Sequence, residues 1–194
     1  MNKFIKAFTL IELLVSVSIM TVILSVVLYN YGSFNDRLSL SAAAQELAVG
    51  IRQSQTYGIN VKESAASSGQ FGYAYGIYFS NQTASYYSVF VDSNNNNKFD
   101  GGGELVERID LRNGVTINNI CDSTTCPATN VTTMSINFLR PNPDARIYFI
   151  NSAGTVTSGP LAYGRIQLRS SKGNFTYVTI ESTGSSEIET NQTC

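Results

Sequence analysis

The chain contains no histidine and few charged residues. Its 194 residues include 13 Lys and Arg against 14 Asp and Glu, so charged residues make up 14% and the net charge is −1. Without histidine, the chain lacks the commonest general base and a common metal ligand. The near-neutral charge also argues against a dominant role in nucleic-acid binding. An anchored enzyme would need another nucleophile–base pair, because the usual histidine base is missing.

Charge is also missing from a long segment near the N-terminus. Lys3 and Lys6 precede Glu12, and residues 13–35 then carry no charge and are mostly apolar. As a helix this run would extend about 35 Å, enough for a hydrocarbon core of about 30 Å. The preceding lysines predict a cytoplasmic N-terminus with the remainder of the chain outside. A carboxylate at the start of such a run costs several kcal/mol unless it is paired, which marks Glu12 as functional.

Two ordinary explanations of this segment fit less well. A secretory signal has a shorter apolar core and a small-residue cleavage site at its far end, but this run ends in Tyr29-Asn-Tyr-Gly32. A plain single-pass anchor leaves Glu12 unexplained. The residues from Lys6 to Leu14, Lys-Ala-Phe-Thr-Leu-Ile-Glu-Leu-Leu, instead resemble the class III leader of type IV pilins and type II secretion pseudopilins.

The resemblance implies a processing site and an assembly residue. Prepilin peptidase would cut between Ala7 and Phe8, and Phe8 would then be N-methylated; the family usually has Gly where Ala7 stands. The new ammonium of Phe8 would pair with Glu12 of a neighbouring subunit, since removing one partner of a buried ion pair costs about 3–5 kcal/mol. Before assembly, Glu12 could instead reach the lipid headgroups. Other filament subunits and an inner-membrane assembly platform are the implied partners.

The segment after the apolar run predicts a continuing helix. Leu40, Ala44, Leu47 and Ile51 recur on one helical face, and no proline occurs in residues 8–59. We expect this stripe to pack under a sheet, with Gly58 as a stop signal near the helix end. The predicted organisation is a leader at 1–7, a transmembrane segment at 8–35, an amphipathic continuation at 36–59 and an extracytoplasmic β domain at 60–194.

The rest of the chain predicts an antiparallel sheet. Residues 62–72 are rich in Ser, Ala and Gly and indicate a loop. Short β-branched and aromatic runs follow, separated by turn residues and too closely spaced for crossover helices. The fold class is therefore α+β, with a long N-terminal helix on antiparallel β-sheets. The predicted strands are residues 72–79, 85–91, 105–111, 115–117, 134–139, 146–150, 155–157, 165–169 and 175–181.

The order of these runs resembles one subgroup, the H-type pseudopilins and related minor pilins. The pieces that carry this weaker resemblance are residues 72–79, 86–92, 100–105, 114–117, 136–138 and 183–184. The first functional hypothesis is a structural subunit of a type IV pilus or a secretion pseudopilus. The alternative is a scarce tip minor pilin that binds DNA, a host surface or a secreted substrate. The two differ in their abundance in filaments.

Three cysteines predict a disulfide. Cys121 and Cys126 enclose a short loop, and bridging it would contribute about 2 kcal/mol in the chain-entropy model. Cys194 is left over and could be free, pair with another chain or displace one of the other two. A zinc half-site formed by Cys121 and Cys126 would lack its second half.

Two further patterns predict ligand contacts. Residues 92–104 place oxygen-bearing groups at calcium-loop spacing, with an Asn-rich turn that bonds its own backbone as the alternative. The calcium ligands would be Asp92, Asn94, Asn96, the Lys98 carbonyl, Asp100 and Glu104. A local excess of positive charge could hold DNA phosphates, although a scattered solvated face is the simpler interpretation. Its residues are Arg140, Arg146, Arg165, Arg169 and Lys172.

Overall fold

A single long helix opens the structure. The computed structural model describes residues 8–60, 72–122, 125–142 and 144–190. Helix α1 spans Leu10–Ile59, and its N-cap is Thr9, whose hydroxyl accepts a hydrogen bond from the Glu12 N–H at 3.3 Å. This bond satisfies one of the amide groups that the first helical turn leaves without a partner. The predicted leader at 1–7, with Ala7, lies outside the described residues.

Helix α1 ends at Ile59, which is the last residue of the predicted amphipathic continuation. Gly58 lies within the helix and is no stop signal; the N–H of Asn60 caps the helix by donating to the Thr56 carbonyl at 2.9 Å. A Cβ at residue 58 would lie 2.6 Å from the carbonyl oxygen of Phe138. The glycine is therefore required by the close approach of the helix to a strand, and not by helix termination.

Ten antiparallel strands follow the helix. Each of the nine predicted runs forms a strand: 175–181 has the predicted bounds, and the other eight differ at one or both ends. The tenth strand, β10, was missed because its sequence Ser-Glu-Ile-Glu-Thr has one apolar residue. One of the two shortest predictions, 155–157, corresponds to an edge strand that continues to Leu161 through Pro160, where a missing N–H is tolerated. The strands are β1 (Ala74–Ser80), β2 (Tyr86–Asp92), β3 (Leu105–Asp110), β4 (Thr116–Cys121), β5 (Thr133–Phe138), β6 (Ala145–Ile150), β7 (Val156–Leu161), β8 (Tyr163–Arg169), β9 (Phe175–Glu181) and β10 (Ser186–Thr190).

The strands form two sheets that pack with the second half of α1. One sheet has the order β3-β2-β1-β5-β6-β7 and the other β10-β9-β8-β4. Helix α1 contacts strands of both sheets, chiefly β1, β5, β9 and β10. The predicted stripe lies in the common core, since Leu40, Ala44, Leu47 and Ile51 are all buried. The α+β fold predicted from the sequence is thereby confirmed.

A disulfide closes the loop after β4. Cys121 and Cys126 are bonded, with their Cα atoms 4.5 Å apart, so the predicted pairing is confirmed. Cys194 lies outside the described residues. Most of the predicted loop at 62–72 and Pro143 of a predicted turn also lie outside them.

Candidate functional site

Most of the first half of α1 has no cover from the rest of the described chain. We call residues 8–35 the exposed stem. Its large apolar side chains are solvent-exposed from Phe8 (73%) and Leu10 (82%) to Phe34 (61%). The first buried residue of α1 is Asp36, at 5% exposure. The helix is long and apolar enough to cross a membrane, with a mean hydropathy of 2.5 in its most apolar window. An apolar surface of this extent marks a membrane or protein contact.

Four hydroxyl groups of the exposed stem are satisfied within the helix. Each donates to the carbonyl four residues earlier, at 2.7–2.8 Å. In hydrocarbon every polar group must find such an internal partner. The four residues are Ser16, Ser18, Thr21 and Ser25.

The carboxylate of Glu12, in contrast, has no hydrogen-bond partner within the helix. Its side chain is exposed among Leu10, Ile11, Leu13 and Leu14, and no hydrogen bond or ion pair to its carboxylate occurs within residues 8–60, 72–122, 125–142 and 144–190. Its backbone N–H donates a hydrogen bond to the Thr9 hydroxyl. The Glu12 carboxylate therefore has no partner among the described residues.

Asp36, at the upper end of the exposed stem, has the opposite surroundings. Its carboxylate accepts hydrogen bonds from Ser170 Oγ at 2.6 Å and Asn174 Nδ2 at 2.7 Å. Two longer bonds, each 3.3 Å, come from Ser171 Oγ and the backbone N–H of Lys172. These donors belong to the turn between β8 and β9. We call Asp36 together with residues 170–174 the Asp36 latch.

The hydrogen bonds of the Asp36 latch favour the charged carboxylate. Burial alone would raise the pKa of Asp36, but the bonds from Ser170, Asn174 and the turn outweigh it and hold that pKa below its usual value. The sequence did not predict this site. Ser, Lys, Gly and Asn at 170–174 signal a turn, but no local pattern indicates that its donors meet a carboxylate 134 residues away.

The Asn-rich turn encloses two buried acids. Asp92 is 1% exposed and accepts from the backbone N–H groups of Asn96 at 3.0 Å and Asn97 at 2.8 Å. Burial raises the pKa of Asp92, as does the charge of Glu104, although these N–H bonds oppose the change. Asn97 has a φ of 65°, a left-handed conformation that asparagine tolerates.

The remaining oxygens of this turn are also engaged. Glu104 accepts from Ser93 N–H at 3.1 Å and Asp100 N–H at 3.0 Å. Asp100 accepts from the side-chain amides of Asn94 and Asn96, and Lys98 Nζ lies 2.9 Å from it. Asn94 and Asn96 turn their amide nitrogens, not their oxygens, toward Asp100.

The donor set therefore fits a self-bonded turn better than a calcium loop. In the part of the chain that the structure describes, no group of three or more Asp, Glu or Cys side chains is placed to hold a metal ion. The Asn94 and Asn96 side-chain oxygens accept from the backbone N–H groups of Asn96 and Lys98. Calcium binding stays a prediction, and no function below depends on it.

The structure divides the five predicted phosphate-binding cations between the two sheets. Arg140 and Arg146 belong to β6 and the turn before it, whereas Arg165 and Arg169 lie on β8 and Lys172 in the turn that follows. Arg165 Nη2 is 3.9 Å from Glu189 Oε2 and is thus partly neutralised. DNA contact by these side chains stays a prediction.

Comparison with known proteins identifies the N-terminal segment. Residues 2–28 match the family described as the prokaryotic N-terminal methylation motif. The match includes Ala7, Phe8 and Glu12 and most of the exposed stem. No curated protein and no solved structure shows significant similarity to the chain. The motif, the exposed stem and the unpaired carboxylate thus meet in one segment.

Proposed function

Because residues 2–28 carry the N-terminal methylation motif of the type IV pilin and pseudopilin superfamily, we propose that this chain is a filament subunit that assembles through its exposed stem. Proteins of this superfamily are processed by prepilin peptidase and are structural rather than enzymatic. The observation that carries the proposal is the stem itself. It exposes a membrane-length apolar surface with one unpaired carboxylate, Glu12.

The proposed processing site is the Ala7–Phe8 bond. Cleavage there gives Phe8 a free amine, which is then methylated and keeps its positive charge. The carboxylate of Glu12 on a neighbouring subunit would neutralise this amine inside the filament. Each charge is costly when buried alone, so pairing between subunits favours assembly and sets their axial register.

The exposed stem would serve in two places. Before assembly it spans the inner membrane, with residues 1–7 on the cytoplasmic side and the sheets on the extracytoplasmic side. After assembly the stems of neighbouring subunits cover one another, so lipid is replaced by protein around the same apolar side chains. An assembly platform in the inner membrane would move the subunit from one place to the other.

We assign the chain to the H-type pseudopilins and related minor pilins. The two antiparallel sheets on a long helix support this assignment, as does the order of the strand motifs from 72–79 to 183–184. In this assignment the filament is a type II secretion pseudopilus or a type IV pilus. A scarce tip subunit that contacts DNA, a surface or a secreted substrate is the alternative.

Mass analysis of sheared native filaments tests the proposal. We expect a chain that begins at Phe8, carries one methyl group and contains the Cys121–Cys126 disulfide. A filament protein that retains Met1 would overturn the proposed processing. Abundance separates the two roles, because a main structural subunit dominates the filament mass, whereas a tip subunit occurs in a few copies per filament.

A further inference from the structure

We propose that the turn at residues 170–174, fixed to α1 by the Asp36 latch, rests on anionic lipid headgroups at the extracytoplasmic membrane surface before assembly. The phosphate contacts would come from Lys172 of the turn, from Arg169 at the end of β8 and from Arg37 of α1. This inference rests on the proposed function, because it requires the exposed stem to span the membrane. It adds a second membrane contact, made by the β domain.

The helix itself indicates where the membrane surface lies. Residues 10–28 extend about 29 Å as a helix, close to the hydrocarbon thickness of about 30 Å. Tyr29 and Tyr31 follow immediately and are 87% and 64% exposed. Tyrosines are enriched at the level of the headgroups, where the ring and the hydroxyl meet different surroundings. With residue 10 near the cytoplasmic face, the headgroup region surrounds residues 29–36.

The turn contacts α1 at this same level. Lys172 lies against Gly32, where an added Cβ would come within 2.5 Å of Lys172 Nζ. Four residues later on the same helical face, Asp36 holds the turn through four hydrogen bonds. Tyr29 lies one turn below Gly32 on that face. The turn is thus fixed beside the helix just above the aromatic residues.

The cations at this level are available for phosphate. Lys172, Arg169 and Arg37 are exposed, and none forms an ion pair within the described ranges. Arg169 lies over the ring of Phe175, 5.8 Å from the ring centroid. The acid near these three cations is Asp36, whose carboxylate oxygens already accept hydrogen bonds from the turn. A membrane surface of negative charge would attract this end of the domain.

The contact would fix the orientation of the domain on the membrane. A helix without it could tilt and rotate freely, whereas the turn restrains both motions from one side. Each Lys or Arg near an anionic surface favours the bound state by roughly fivefold. Removing two of these charges should therefore lower the ratio of membrane-contacting to free domain by roughly twenty-fivefold.

A tryptophan reporter can test this contact in the full chain. The sequence contains no Trp, so Phe175→Trp gives a single tryptophan beside Arg169. The protein is reconstituted into phosphatidylcholine vesicles with bromine high on the acyl chains, with and without phosphatidylglycerol. The extent of quenching is the tryptophan fluorescence in these vesicles divided by the fluorescence in bromine-free vesicles. We expect stronger quenching when phosphatidylglycerol is present and weaker quenching as salt is added.

Charge variants in the Phe175→Trp background test whether Arg169 and Lys172 cause the difference in quenching between the two vesicle types. We expect Arg169→Gln with Lys172→Gln to abolish the difference between the two vesicle types, Lys172→Arg to preserve it, and Arg146→Gln on β6 to leave it unchanged. Equal quenching of the parent protein in both vesicle types would overturn the inference, as would a difference that survives the double substitution. Failure of the chain to float with the vesicles would instead contradict the proposed membrane-spanning stem. Unchanged circular dichroism confirms folding of each variant.

Discussion

At the residue scale, two carboxylates at opposite ends of one apolar stem have different surroundings. Glu12 is exposed and has no partner in the described chain, whereas Asp36 is buried under four donors. An unpaired carboxylate in hydrocarbon is costly and requires a partner from elsewhere. A carboxylate that accepts several hydrogen bonds is instead stable where it is. Under the proposed function, Glu12 would serve the association between subunits, whereas Asp36 stabilises the fold of a single chain.

Asp36→Ala is expected to destabilise the β domain. The substitution leaves Ser170 Oγ, Asn174 Nδ2 and the Lys172 N–H without their acceptor. Losing the partner of buried donors costs about 1–3 kcal/mol. Urea unfolding of the full chain in detergent measures the loss. Asp110→Ala is the matched control, because Asp110 is exposed and paired with Arg108, and such surface pairs contribute about 0–1 kcal/mol.

The loss of stability in Asp36→Ala is expected to depend on pH. Because the pKa of Asp36 is lowered by folding, its stabilisation is fully present above its unfolded pKa of 3.8 and is lost as the pH falls through the folded value. We expect the stability difference between the wild-type chain and Asp36→Ala to be constant near neutral pH and to shrink below about pH 4. A difference that does not change with acidification would show that the Asp36 charge contributes nothing to the latch.

At the element scale, the loop at residues 92–104 illustrates what sequence spacing leaves undetermined. The oxygens fall at calcium-loop positions, but Asn94 and Asn96 aim amide nitrogens at Asp100 and their oxygens at backbone N–H groups. Spacing along the chain does not determine which end of an amide faces inward. Local hydrogen bonding is the reason such residues favour turns.

Calcium titration is expected to leave the melting temperature unchanged. The loop already satisfies Asp92 and Glu104 with internal N–H donors, so an ion would have to replace those bonds. Thermal unfolding of the wild-type chain with millimolar calcium or with a chelator measures this. A rise in melting temperature that disappears in Asp92→Asn would instead establish a calcium site.

The strands and the helix were largely predictable, whereas their mutual packing was not. Alternation and β-branched content located nine strands, and the spacing of Leu40, Ala44, Leu47 and Ile51 identified the buried face of α1. Gly58 was misread because its role depends on Phe138, a residue 80 positions later. The Asp36 latch was missed for the same reason. Local sequence patterns predict individual helices and strands. Contacts between residues far apart in the sequence can be identified only from the three-dimensional structure.

At the scale of the whole molecule, the chain is divided into a part that packs within itself and a part that does not. Within the described residues, the core is formed by the second half of α1, the two sheets and the segments that connect their strands, and the exposed stem contributes nothing to it. The β domain can therefore fold independently of the environment of the stem. The stem can exchange lipid for neighbouring stems while the domain stays unchanged, as assembly from a membrane requires.

Glu12→Ala is expected to separate membrane residence from assembly. The variant removes the charge without shortening the apolar run, so it should enter the membrane and be cleaved between Ala7 and Phe8. In a filament it would leave the Phe8 amine of a neighbour buried without its partner, at a cost of about 3–5 kcal/mol. Incorporation into filaments should fall about a hundredfold or more, measured as the ratio of the subunit in sheared filaments to that in membranes.

Ser16→Ala is the matched control for that measurement, because Ser16 lies one turn further along the same face and donates its hydroxyl to the Glu12 carbonyl of its own helix. It alters a polar group of the stem without touching the charge, so its incorporation should equal that of the wild type. An equal loss in both variants would mean that the stem tolerates no change on this face. Normal incorporation of Glu12→Ala would show that the carboxylate does not neutralise a neighbour's amine, and assembly would then depend on apolar contact alone.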